Sequence, residues 1–138
     1  MKKIMALVFF FVSIGLFAED RPVSIQIDNI KISGGKLYVA IYNSSASYKK
    51  QEPFKTLSLD PTSDTLVTTE ALPDGEYVVS LFQDTNNNKK CDLTVIGIPK
   101  EPVGISRYDG KGIPGGFEKL KVQIGKENQA ISVQLYKI

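Results

Sequence analysis

The stretch Leu72-Pro73-Asp74-Gly75-Glu76-Tyr77-Val78-Val79-Ser80-Leu81-Phe82-Gln83-Asp84-Thr85-Asn86-Asn87-Asn88-Lys89-Lys90-Cys91-Asp92 runs a turn, a strand and a polar loop into one another. Pro73 fixes φ and Gly75 is free to take φ above zero, so the first four residues turn the chain tightly. Glu76 to Phe82 then brings β-branched and aromatic residues with little polar interruption, the pattern of a central strand. That strand delivers the chain directly to Asp84 and a segment crowded with oxygen-bearing side chains.

Upstream, Val23, Ile25 and Ile27 alternate with polar residues up to a change of phase at Asp28-Asn29, which puts one side of a strand on a core and the other in water. Ser33-Gly34-Gly35 signals a turn into the strand Lys36 to Asn43, and the two strands are expected to pair as a hairpin. Asn43 to Glu52 reads as a polar loop. Phe54 to Leu59 and Thr65 to Glu70, around Pro61-Thr62-Ser63-Asp64, read as a second hairpin. Between Leu93 and Gly116, glycines and prolines recur too often for a long regular element, and such a segment is usually functional or mobile. Phe117 to Ile124 and Ala130 to Tyr136 restore alternation as a closing hairpin. Seven short strands, with turns every 8 to 12 residues or so, predict an all-β fold: an antiparallel seven-stranded β-sandwich of Ig-like or transthyretin-like type. A closed barrel is the alternative.

A chain of 138 residues is one domain with a sizeable core. Lys2-Lys3, the apolar run Ile4 to Phe17 broken only by Ser13 and Gly15, and Ala18 before Glu19-Asp20 have the three-part layout of a secretory signal peptide. The run is shorter than the roughly 20 residues a membrane-spanning helix needs. The expected division is therefore a leader over residues 1–18 and a single β-sandwich domain over 19–138, exported to the periplasm or the cell exterior. The leader has no Cys to carry a lipid.

The excess of 17 basic over 15 acidic residues resides in Lys2 and Lys3, so the domain itself is electrically balanced and has no long-range pull on nucleic acid. With Cys91 alone there is no internal disulfide, and with no His there is no imidazole base or His-built zinc site.

Asp84, Asn86, Asn88 and Asp92 fall at positions 1, 3, 5 and 9 of a loop, the spacing of oxygen donors in EF-hand calcium loops. Position 6, normally Gly, is Lys89, and position 12, normally a bidentate Glu, is Val95. Glu101 or Asp109 folding back would complete such a shell, and calcium is the cofactor considered. Affinities of about 10⁻⁴ to 10⁻³ M suffice outside the cell. The competing reading is that these residues only make Asx turns. Lys90 beside Cys91 would lower the thiol pKa, but a lone thiol has neither base nor resolving partner. Tyr38, Tyr42, Tyr48, Tyr77 and Phe82 read as core rather than as a stacking platform.

Four segments carry a family resemblance: Gly35 to Asn43, Leu72 to Tyr77, Phe82 to Asp92, and Gly97 to Ser106. From about Val23 onward the chain resembles DUF2141, small exported bacterial proteins of unknown function. The family pattern usually has His at Gln83, Gly at Lys89, and Phe and Asn at Ile105 and Arg107. The resemblance implies a periplasmic or surface β-sandwich and no particular activity. The expected function is a non-enzymatic envelope module that presents its loops to a protein or glycan partner or to calcium. The alternatives are a hydrolase using Asp84, Asp92 or Glu101, and a carbohydrate- or peptide-binding accessory domain built on an exposed aromatic platform or sheet edge.

Overall fold

The computed structural model describes residues 19–138; the signal peptide assigned to residues 1–18 lies outside the described residues. In chain order the elements are β1 (Asp20–Asp28), β2 (Leu37–Tyr42), α1 (Ser45–Lys50), β3 (Lys55–Leu59), β4 (Leu66–Pro73), β5 (Gly75–Gln83), β6 (Val103–Ile105), α2 (Phe117–Leu120), β7 (Val122–Ile124) and β8 (Ala130–Gln134). The described chain is mostly β, in two sheets. One has the order β4-β1-β8; the other runs β3-β2-β5-β6, with β7 pairing on β5.

The alternating strands build a shared core from both sheets. Val23, Ile25 and Ile27 of β1 and Ile131 and Val133 of β8 face Leu37, Val39 and Ile41 of β2 and Tyr77, Val79 and Leu81 of β5, all of them buried. β5 is an interior strand, flanked by β2 and by β6 and β7. Burying these aliphatic side chains removes apolar surface from water at roughly 25 cal/mol per Å², the main force holding the sheets together.

The pairing departs from the expected one in several places. Eight strands form where seven are expected, and the arrangement is not wholly antiparallel: β1 and β8 run parallel, from Ser24 opposite Ala130 to Asp28 opposite Gln134. None of the three expected hairpins forms. β1 pairs with β4 and β8 and lies in a different sheet from β2; β3 pairs with β2; β7 pairs with β5. The turn signals are real, but they mark crossings between sheets. At Asn29 the backbone turns left-handed (φ 63°), its side-chain amide donates to the Leu135 carbonyl at 2.7 Å, and Ile30 drops into the core. At Pro73-Asp74-Gly75 the chain passes from β4 directly into β5, with the Tyr77 hydroxyl donating to the Pro73 carbonyl at 2.7 Å.

The expected polar loop after Asn43 contains α1, started by a capping box in which the Ser44 and Ser47 hydroxyls each accept from the other's backbone N–H. A helix of this length is too short to show a 3.6-residue period in sequence. α2 likewise occupies what reads as strand. Phe117 and Leu120 are buried against Tyr42, Val78 and Tyr108, on the side of β2 and β5 that faces away from the main core. Ser106 fixes this layer: buried, it accepts from the Val79 N–H at 3.2 Å and donates to the Leu120 carbonyl at 2.8 Å.

Candidate functional site

The oxygen-rich loop leaves the end of β5 from a buried base. Gln83 and Asp84 have no exposed surface. The Gln83 amide accepts from the Lys31 N–H at 3.0 Å and donates to the carbonyls of Lys31, Gly34 and Gly35 at 2.6, 3.2 and 3.1 Å. It thus ties the connection between β1 and β2 to the root of the loop. The Asp84 N–H donates to the Lys36 carbonyl at 2.8 Å.

The carboxylate of Asp84 gathers the loop around itself, accepting from the Asn88 N–H on Oδ1 (3.2 Å) and the Lys89 N–H on Oδ2 (2.7 Å). Asn86 and Asn88 make Asx turns to the N–H groups of Asn88 and Lys90. Both also direct their side-chain amides to Oδ2 of Asp92. Lys89 has φ 64°, the left-handed backbone that the turn glycine of a calcium loop supplies. The missing Gly therefore leaves the turn in place, at a steric cost.

Val95, the residue at loop position 12, points into solvent. Glu101 is brought back instead. Leu93 bridges to Pro99, and the Lys100 N–H donates to the Asp92 carbonyl at 2.8 Å. Glu101 is 2% exposed; its Oε2 accepts from the Asp92 N–H at 3.0 Å, and its Oε1 is buried with no partner. Burial pushes the Glu101 carboxyl above its usual range; the Asp92 N–H opposes this, and the charges of Asp92 and Asp84, with a hydrogen bond that the protonated carboxyl makes to Asp84, reinforce it. Asp109 takes no part in the loop's bonds and accepts from the Lys111 N–H at 3.0 Å. The structure thus groups Asp84, Asn86, Asn88, Asp92 and Glu101 around one loop and leaves Asp109 outside it. Among the described residues, no three His, Cys, Asp or Glu side chains converge into a ready-made metal cage.

The Cys91 thiol differs from the sequence expectation. Burial, and then the charges of Glu101 and Asp92, push its pKa up, which leaves it a weak nucleophile despite Lys90.

Beside the loop, on the outward side of β2, β5 and β6, lies a pocket of about 880 Å³. Tyr38 and Phe82, opposite one another in register, form part of its lining as a stacked pair with ring centroids 5.4 Å apart and planes 29° apart. Ala40, Ile105, Cys91 and Pro99 also line it, and no Asp, Glu, Lys or Arg side chain does. Tyr38 and Phe82 are only half-buried and stand apart from the main core, contrary to their reading as core aromatics. The signal that could have placed them is that β2 and β5 are apolar on both faces, while a sheet with one wet face alternates. A smaller hollow of about 530 Å³ contains Lys31, Lys100 and Lys137. Neither is lined by Asp84, Asp92 or Glu101.

No helix among the described residues is long and apolar enough to cross a membrane. Comparison with curated proteins and with solved structures gives no match. Comparison with protein families matches residues 25–132 to DUF2141, described as an uncharacterized protein conserved in bacteria. With the matched region reaching from within β1 into β8, the chain belongs to the DUF2141 family.

Proposed function

We propose that this protein is an exported, non-enzymatic binding module that holds an uncharged, largely apolar small molecule against the outer face of its larger sheet. The observation that carries this reading is the pocket of about 880 Å³ without a charged side chain in its lining. Its size lies within the usual range for small-molecule sites, roughly 300 to 1,000 Å³, and such sites are mostly apolar with a few polar groups that orient the ligand. Tyr38 and Phe82 offer aromatic surface, while Tyr42, Gln51, Ser58 and Ser80 supply the polar atoms. Asp84, Asp92 and Glu101 lie outside the pocket lining, which favours binding over hydrolysis. Export rests on Lys2-Lys3 and the apolar run that follows them.

As to architecture, the reading is a β-sandwich of transthyretin-like rather than Ig-like type. An Ig domain keeps its first two strands side by side in one sheet, whereas β1 and β2 belong to different sheets here.

Titration with the neutral apolar dye N-phenyl-1-naphthylamine tests the pocket, in parallel with a panel of neutral oligosaccharides. The expected result is a saturable rise in dye fluorescence that Ala40→Arg abolishes while far-UV circular dichroism stays unchanged. Saturable binding of the oligosaccharides alone would shift the ligand class to glycans. No saturable binding of either would remove the proposal.

A further inference from the structure

The loop's chemistry is independent of the pocket and carries a second conclusion. A buried carboxylate oxygen without a partner is costly, because it has lost water and gained nothing in exchange. Oε1 of Glu101 accepts no hydrogen bond, on a side chain only 2% exposed, and the carboxyl meets that of Asp84, which can share a proton with it but cannot satisfy it when both are charged. Its other oxygen binds the Asp92 N–H, and its charged neighbours are Asp92 and Asp84. Three carboxylates thus crowd the loop, and a bound cation would relieve both their repulsion and the orphaned oxygen.

We infer that Asp84, Asn86, Asn88, Asp92 and Glu101 form a calcium site, in which Glu101 supplies the closing carboxylate that a calcium loop ordinarily takes from its twelfth position. The donors are all oxygens, the preference of a hard cation. They sit on an irregular loop with adaptable spacing, which suits the six to eight ligands of calcium better than the strict octahedron of magnesium. Asn86 and Asn88 direct their amide N–H groups to Oδ2 of Asp92, which holds that carboxylate among the other donors. Oδ1 of each amide accepts one backbone N–H and keeps a second lone pair for the ion. Lys89 and Lys90 oppose the ion electrostatically, placing its affinity at the weak end, about 10⁻⁴ to 10⁻³ M.

Calorimetry and thermal melting of the purified protein test this, in calcium, in magnesium and in EDTA. The parent protein is expected to give a saturable heat with calcium, and a melting temperature in 10 mM calcium roughly 5 °C above that in EDTA. Glu101→Gln keeps the side-chain shape and removes the buried charge. Its calcium affinity should fall about tenfold or more, while its melting temperature in EDTA equals or exceeds that of the parent. Asp92→Asn, at a more exposed position, should lose the calcium response in the same way. The inference is overturned if the parent shows neither heat nor shift, or if either variant responds to calcium as the parent does.

Discussion

Lys89 and Arg107 stand at φ 64° and 60°, where an L-residue with a long side chain is strained by roughly 1 kcal/mol. Gly and Asn are the two residues that visit this region most readily. The strain is partly offset, since Gly at such a site would lose more backbone entropy on folding. Arg107 also donates to the Lys121 carbonyl, but at 3.3 Å that bond is long. Lys89→Gly and Arg107→Asn are therefore each expected to stabilise the fold, by about 0.5 kcal/mol. Urea titration should show higher midpoints with an unchanged slope. The loop spacing at Asp84, Asn86, Asn88 and Asp92 was legible in the sequence. Glu101 and Asp109 were both candidates to fold back; that Glu101 is the one that returns depends on the Leu93–Pro99 bridge and the bond from Lys100 to Asp92.

The β1–β2 connection illustrates how a correct turn can belong to a different pairing. Gly35 sits at φ 60°, and a Cβ there would run into the backbone carbonyl of Asp84, so the glycine serves a close approach between two segments far apart in sequence. Gln83 completes the crossing, being both acceptor and donor within one buried amide. Gln83→Leu would leave the Lys31 N–H and the carbonyls of Lys31, Gly34 and Gly35 without the partner that the buried amide gives them. The expected cost is about 3 kcal/mol, read as a lower urea midpoint. A drop below about 1 kcal/mol would show that water reaches these groups. Strand content was legible because alternation and turn residues are local properties. The pairing was not: Ser33-Gly34-Gly35 looks the same before a hairpin partner as before a strand of another sheet.

In the molecule as a whole, the two ends of the domain close on each other. β8 pairs in parallel with β1, Leu135 lies in the core, and Tyr136 exchanges backbone hydrogen bonds with Val103 at 2.9 and 2.8 Å, joining the last segment to the larger sheet. A chain ending at Gln129 would lose Ile131, Val133 and Leu135 and expose one side of β1. Each such side chain contributes roughly 1.5 to 3 kcal/mol, so their loss together approaches the whole stability of a small domain. The truncated protein is expected to show no cooperative melting transition; a sharp transition near that of the parent would mean that the core is self-sufficient without β8.

The sequence determined the β class, the interior place of Glu76 to Phe82, the family and the oxygen-rich loop, because each is written in residues close together along the chain. The tertiary structure decided which strands are neighbours, that Tyr38 and Phe82 line an open pocket, and that Glu101 returns to Asp92. These depend on contacts between distant segments, where burial and backbone hydrogen bonding outweigh the local pattern.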